Sequence, residues 1–247
     1  MITAVGIVVP ARDERRMIRP CVRALLAALR QLPSAIESAL CVLADRCTDD
    51  TANVAHDALG GWPAGWVVAN RRHRTIGEVR DLGLHHVRDR LAHHPAATIW
   101  LLSTDADTTV ATDWVTEHLR LARHGIHGVA GPAELADRST LPEGLALRYR
   151  TVLAHAQGPH GHGNVYAANL GVRADAYQAV GGFGAVRTGE AHDLWRRLGR
   201  AGYRRCYATT PTVSTSARRH GRAPGGLADL LAALDRDEPA GPAPPRV

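Results

Sequence analysis

Three short segments of this chain gather carboxylates where they could act together: Pro10-Ala11-Arg12-Asp13-Glu14, Asp45-Arg46-Cys47-Thr48-Asp49-Asp50-Thr51, and Ser103-Thr104-Asp105-Ala106-Asp107-Thr108. Asp105 and Asp107 carry the sharpest chemical signal. An extended Asp-x-Asp points alternate side chains the same way and presents hard oxygen ligands to one cation. Such a pair suits Mg2+ or Mn2+. A cation held there could bridge a diphosphate and stabilise the negative charge on a departing nucleoside diphosphate. The same residues could equally open a turn and cap the next helix.

What positions these segments is the run of apolar residues before each of them. Val5 to Val9, Leu40 to Ala44, Trp66 to Ala69 and Thr98 to Leu102 read as strands, separated by helical patterns. That alternation is the signature of βαβ units closing into a mostly parallel sheet. In such sheets the carboxyl ends of the strands share one edge, where ligands bind. Ile18, Cys21, Val22, Leu25, Leu26 and Leu29 recur at helical spacing, with Pro20 placed in the first turn. Thr48 is placed to cap a helix through Val54 and Leu59, and further helices are expected over Gly77 to Leu91 and Asp113 to Arg123. A strand near Ile126 to Ala130 follows. The second half is less regular, with a short helix from Asp175 to Val180 and a Gly/His-rich loop from Gly158 to Gly163. The histidines at 155, 160 and 162 fit a mobile loop better than a second metal site. One domain is expected over residues 1–234, and a Pro/Ala-rich disordered tail over 235–247.

Composition removes several classes of function. All 30 basic residues are arginine, so neither a Walker A loop nor Schiff-base chemistry can be built, since each needs a lysine. H-E-x-x-H and G-x-S-x-G are absent. The formal charge of +6 would suit an anionic partner, but a coding bias toward arginine and alanine explains it as readily. A single phenylalanine argues against a base-stacking surface, and no nucleic-acid partner is expected. Cys21, Cys41, Cys47 and Cys206 form no C-x-x-C pair and are read as reduced thiols. No apolar run approaches the roughly 20 residues of a membrane span. The expected compartment is the cytoplasm, with a peripheral contact at the inner membrane face left open.

Taken in order, these motifs resemble family 2 glycosyltransferases. Ile7 through Glu14 is similar to that family's opening strand and nucleotide loop, Asp45 through Thr51 to its D-G-S-T-D-x-T turn, Gly77 through Gly83 to its G-x-x-A-R-N-x-G segment, and Asp105-Ala106-Asp107 to its D-x-D. Ala168 through Arg173 and Val180 through Phe183 resemble its acceptor-side stretch, followed by Glu190 with Asp193-Leu194. The resemblance spans roughly Thr3 to Arg222. It implies a GT-A fold, a three-layer α/β/α architecture with a mostly parallel central sheet, a UDP- or GDP-sugar donor, a divalent cation, and transfer to an unidentified hydroxyl acceptor, usually with inversion. By the same resemblance Pro10, Ala11 and Glu14 would line the base and ribose, and Asp45 the nucleobase edge. Arg80 would face the phosphates, Asp105 with Ala106 the ribose or metal, and Asp107 the metal itself.

One departure bears on activity. The family's E-D-x-D-L run reads Glu190-Ala191-His192-Asp193-Leu194 here, so the usual proton-accepting carboxylate is replaced by Ala191. A general base typically contributes 10² to 10⁴ in rate. Glu190 and His192 are the candidates to supply it. On a helix His192 points about 100° away from position 191, so recruiting it needs a shifted turn, whereas a carboxylate restored at 191 should need no backbone shift. The alternative is a nucleotide-sugar-binding protein with impaired transfer. Downstream, Arg218 and Arg222 could fork onto diphosphate oxygens and His220 could complete a metal shell, or the segment could be a solvated basic loop.

Overall fold

The computed structural model describes residues 1–136, 141–156, 163–219, 221 and 226–236. Seven strands form the central sheet: β1 (Ala4–Ala11), β2 (Glu37–Asp45), β3 (Gly65–Asn70), β4 (Ile99–Ser103), β6 (Gly128–Ala130), β8 (Leu170–Arg173) and β9 (Arg205–Tyr207), in the order β3-β2-β1-β4-β8-β6-β9. β8 alone runs antiparallel to its neighbours. The rest pair in parallel. The expected α/β/α fold with a mostly parallel sheet is what the chain adopts.

The apolar run of β1 is continuous because both faces of the sheet are covered. Val5, Ile7 and Val9 pack with α1 (Ile18–Leu29), α2 (Thr51–Leu59) and α4 (Trp114–Arg123). Ala4 and Val8 pack on the opposite face with α3 (Ile76–Arg90), α6 (Ala174–Ala179) and α7 (Glu190–Arg200). Each large side chain so buried contributes about 1.5–3 kcal/mol relative to exposure. Close packing of α3 depends on two glycines. A Cβ on Gly83 would lie 2.3 Å from Val8 Cγ2, and one on Gly77 would lie 2.3 Å from the Gly184 carbonyl oxygen.

The less regular second half is ordered by short elements that periodicity does not reveal. β5 (Thr108–Val110), β10 (Val213–Thr215) and β7 (Ala133–Leu135) form a separate three-stranded sheet. α5 (Glu143–Ala156) and α8 (Leu227–Asp235) enclose a third apolar cluster with Leu145, Tyr149 and Leu231. His155 therefore lies on α5 rather than in a loop, while 157–162 and 237–247, holding most of the expected tail, fall outside the described residues. Among the described residues no helix is long and apolar enough to cross a membrane.

Asn169, within the stretch that resembles the family's acceptor side, is a fully buried tie. Its Oδ1 accepts from Trp114 Nε1 at 2.8 Å and His118 Nε2 at 3.1 Å, and its Nδ2 donates to the carbonyls of Pro132 and Pro211, both at 2.8 Å. Burial pushes the His118 imidazole down to about 4, so the ring is neutral at pH 7. Removing such a hub strands several buried polar groups, each costing about 1–3 kcal/mol. Asn169→Ala should therefore lose at least about 3 kcal/mol in urea unfolding; a variant as stable as the parent would contradict this role.

Candidate functional site

The carboxyl ends of β1, β2 and β4 meet at one edge, and the loops leaving them are fastened to each other. Asp13 accepts from the Thr48 amide at 2.6 Å, the Thr48 hydroxyl at 3.1 Å and the Asp49 amide at 3.3 Å. The Glu14 amide donates to Thr51 Oγ1 at 2.7 Å. Thr48 thus ties the two loops together, and Asp50, not Thr48, precedes the helix that starts at Thr51. Asp13 and Arg46 adopt positive φ, 51° and 47°, a conformation uncommon outside glycine and concentrated at functional loops. Pro10 and Ala11 are buried at the end of β1. Asp45, 7% exposed, faces Asn70 across the β2–β3 register and accepts from its Nδ2 at 2.7 Å.

Arg80 is the buried centre of the second group. It is 3% exposed and donates to Asp105 Oδ1 at 2.5 Å, Ser103 Oγ at 2.8 Å and Glu190 Oε1 at 3.3 Å. Its helix begins with a capping box in which the Thr75 hydroxyl accepts from the Glu78 amide and the Glu78 carboxylate accepts from the Thr75 amide. That box fixes the first turn and, with it, the direction of Arg80. Asp81, which could have partnered Arg80, accepts instead from the Tyr177 hydroxyl at 2.7 Å.

Asp105 and Asp107 do not lie on an extended segment. The Thr108 amide donates to the Asp105 carbonyl at 3.1 Å, closing a turn that buries Ala106 in the core. The two carboxylates consequently serve different arginines. Arg218 stands 3.0 Å from Asp107 Oδ2 and 2.6 Å from Glu14 Oε1. The small sheet puts it there: β10 pairs antiparallel with β5, and the Ser216 amide donates to the Asp107 carbonyl at 3.2 Å. Burial pushes the Asp107 carboxyl up to about 6, the charges of Asp105 and Glu14 push the same way, and Arg218 only partly offsets them. Negative charge in excess of the local arginines, carried on hard oxygens, fits a divalent cation, and Asp107 with Asp105 could hold one.

The α7 segment starts at the same crevice. Glu190 is 9% exposed and bonded to Arg80, whereas Asp193 is taken up by Arg196 at 2.6 Å and Arg197 at 2.8 Å. Ala191 is 4% exposed and belongs to the apolar layer that includes Leu194 and Trp195. This corrects the expectation that a carboxylate at 191 would enter the crevice without rearrangement, because the side chain there is part of the core. His192 is half-buried; burial lowers its pKa, and the Glu190 charge opposes that shift. His220 and Arg222 lie outside the described residues.

Sheet order, helices on both faces and a carboxylate-lined edge define the GT-A class of glycosyltransferase folds. Residues 3–230 match the family described as Glycosyltransferase like family 2, and the chain belongs to it. Solved structures share the fold at low identity. A mannosyltransferase from Pyrobaculum calidifontis, PcManGT, in complex with GDP-Man and Mn2+, superposes with a TM-score of 0.63 at 15% identity, covering 93% of this chain and 69% of that one. Glucosyl-3-phosphoglycerate synthase from M. tuberculosis, in complex with Mg2+ and UDP, gives 0.54 at 16% identity, covering 97% and 81%. Residues 1–349 of TarS from S. aureus give 0.59 at 13% identity, covering 89% and 61%. No curated protein matches the chain in sequence.

The raised pKa of Asp107 has a consequence for stability. Below about pH 4 its carboxyl is neutral in the folded and unfolded chains alike; from there to about 6 only the unfolded chain ionises, so stability falls as pH rises through that window and stays reduced above it. Asp107→Asn cannot ionise. In metal-free buffer it should melt above the parent at pH 7.5, with the gain vanishing below about pH 4. An equal gain at both pH values would show that Asp107 carries no such charge penalty.

Proposed function

We propose that this chain transfers a sugar from a nucleoside-diphosphate donor, held with Mn2+ or Mg2+, to a hydroxyl acceptor with inversion at the sugar carbon. The observation that carries the reading is the convergence of Glu14, Asp45, Asp105 and Asp107 on one sheet edge, with Arg80 and Arg218 between the carboxylates. Family membership and neighbours solved with GDP-Man or UDP support it. Bound at Asp107 and Asp105, a divalent cation would neutralise diphosphate charge as the leaving group departs. Asp45, oriented by Asn70, accepts from the nucleobase edge, while Glu14 and the backbone at Pro10 and Ala11 line the ribose. Arg218 exchanges its carboxylate partners for diphosphate oxygens, which its planar fork matches.

Glu190 is assigned as the general base. It is the carboxylate of α7 that shares Arg80 with Asp105, so it stands nearer the donor carboxylates than Asp193, which its own helix occupies. In the transfer step Glu190 takes the acceptor hydroxyl proton as that oxygen bonds to the anomeric carbon. The bond from that carbon to the diphosphate breaks, and its electron pair leaves with the nucleoside diphosphate. A second reading rests on the buried Ala191, which offers no proton acceptor: the chain would then hold a nucleotide sugar without transferring it.

Four substitutions test these readings. Glu190→Gln, which keeps an oxygen for Arg80, should cut kcat by about 10² to 10⁴ and weaken donor affinity far less. His192→Ala should have a small effect, and transfer that falls instead with His192→Ala would move the base to the imidazole. Ala191→Asp should lower stability without raising the rate, because burying a carboxylate is costly. Asp45→Ala should weaken UDP or GDP binding about tenfold with or without metal, the loss of one hydrogen bond to a charged group. Parent protein that binds donor tightly yet turns over no acceptor and hydrolyses no donor would establish the second reading.

A further inference from the structure

At the amino-terminal edge of the sheet, a second group of side chains converges that the transfer reaction does not use. Glu37 opens β2, His93 and His94 follow α3, and Thr3 and Thr98 precede β1 and β4. Asp45 closes the same β2 strand, so this cluster stands roughly 26 Å from the donor crevice at the usual strand rise. Glu37 Oε2 lies 2.7 Å from His93 Nε2 and 3.0 Å from His94 Nε2, and the three ligand atoms all fall within 4.8 Å of one another.

Hydrogen bonds on the far side of the cluster orient the His94 ring. The Pro95 carbonyl can only accept, so the Thr98 hydroxyl donates to it at 2.9 Å. Having spent its proton, Thr98 Oγ1 accepts from Thr3 Oγ1 at 2.9 Å. Thr3 in turn has no proton left for His94 Nδ1, also at 2.9 Å, so the ring donates N–H from Nδ1. In its neutral form His94 then presents the Nε2 lone pair to a carboxylate oxygen 3.0 Å away. A proton on Nε2 turns this contact into a hydrogen bond that lowers the Glu37 pKa, and a metal ion in the proton's place would satisfy both groups equally. An imidazole whose Nδ1–H is fixed by an oxygen and whose Nε2 faces outward is the usual form of a metal-ligating histidine.

We propose that Glu37, His93 and His94 bind one Zn2+ ion, with the fourth position open to water. Two imidazoles and one carboxylate select borderline transition metals over Mg2+ or Ca2+. Ligand atoms on a tetrahedral ion with bonds of about 2.0–2.1 Å stand roughly 3.3 Å apart. The observed 2.7 and 3.0 Å contacts need to open by about 0.6 and 0.3 Å, and the two imidazole nitrogens, which lie within 4.8 Å of each other, must settle at the same spacing. The ion joins the start of β2 to the connection between α3 and β4, and through Thr3 to the start of β1. Thr3 is a positioning residue, since it orients His94 without touching the metal. The second acidic cluster, Asp13 with Cys47 and Asp49, already spends its carboxylates on loop amides and hydroxyls and is not assigned an ion.

The test is Zn2+ titration of the tag-free full chain by calorimetry, in an Asp107→Ala background so that the donor crevice does not compete. One equivalent should bind and raise the melting temperature by roughly 5–10 °C at a hundredfold excess over Kd. His93→Ala with His94→Ala should abolish that equivalent. His93 is more than half exposed, with a side chain 58% accessible, so His93→Ala alone keeps the test valid if the double variant fails to fold, and it should weaken binding at least tenfold. Thr3→Val should weaken binding 10- to 100-fold while leaving all three ligands in place, a loss that a purely structural threonine would not produce. No bound Zn2+ in the Asp107→Ala chain, or binding unchanged by the histidine substitutions, would overturn the proposal.

Discussion

Two guanidinium groups are held among four carboxylates at the carboxyl edge of the sheet, and the geometry of the crevice depends on that balance. Arg80 is the costlier of the two, because a charge removed from water is tolerated only when its donors are paired. Asp105, Ser103 and Glu190 supply those partners from β4, its following turn and α7. If Arg80 were displaced, α7 and the turn after β4 would lose their common tie, and the capping box at Thr75 and the close approach at Gly77 would hold α3 over an incomplete site. Arg218 plays the matching part between Glu14 and Asp107, but it is more exposed and reaches the site from a short strand.

The difference between the two arginines accounts for how a rigid edge could admit a ligand. Arg80 is buried and held by Ser103, Asp105 and Glu190 from β4, the turn after it and α7, which fixes the two carboxylates relative to each other. Arg218 pairs with Asp107 and Glu14 while staying partly exposed, and under the proposed function a diphosphate with its cation would offer both sides an exchange of partners.

Much of this was legible in the residues. β1 through β4 and their helices announced themselves by apolar runs and helical spacing, and the order of the motifs along the chain pointed to the family to which it belongs. The helix expected from Gly77 starts one residue earlier, at Ile76, and the Thr75-x-x-Glu78 pattern is the signal that could have placed it. What was not legible depends on contacts between distant residues. β5, β7 and β10 have three residues each, too few for a period, and they form only because they pair with one another. The meeting of Arg218 with Asp107 follows from that pairing. Asn169 belongs to the core because Trp114, His118, Pro132 and Pro211 surround it, and no local pattern announces such a hub. The turn that separates Asp105 from Asp107, and the burial of Ala191 where a carboxylate was expected to fit, are likewise products of packing.

The central claim is that Asp107 joins a divalent cation to a nucleoside diphosphate at this edge, and calorimetry of UDP and GDP in Mn2+ and in EDTA tests it most directly. The account predicts that one of the two nucleotides binds the parent chain at least tenfold more tightly in Mn2+, and that Asp107→Ala binds it equally weakly in both buffers. Parent affinity that is the same in Mn2+ and EDTA, or a metal dependence that survives Asp107→Ala, would contradict it.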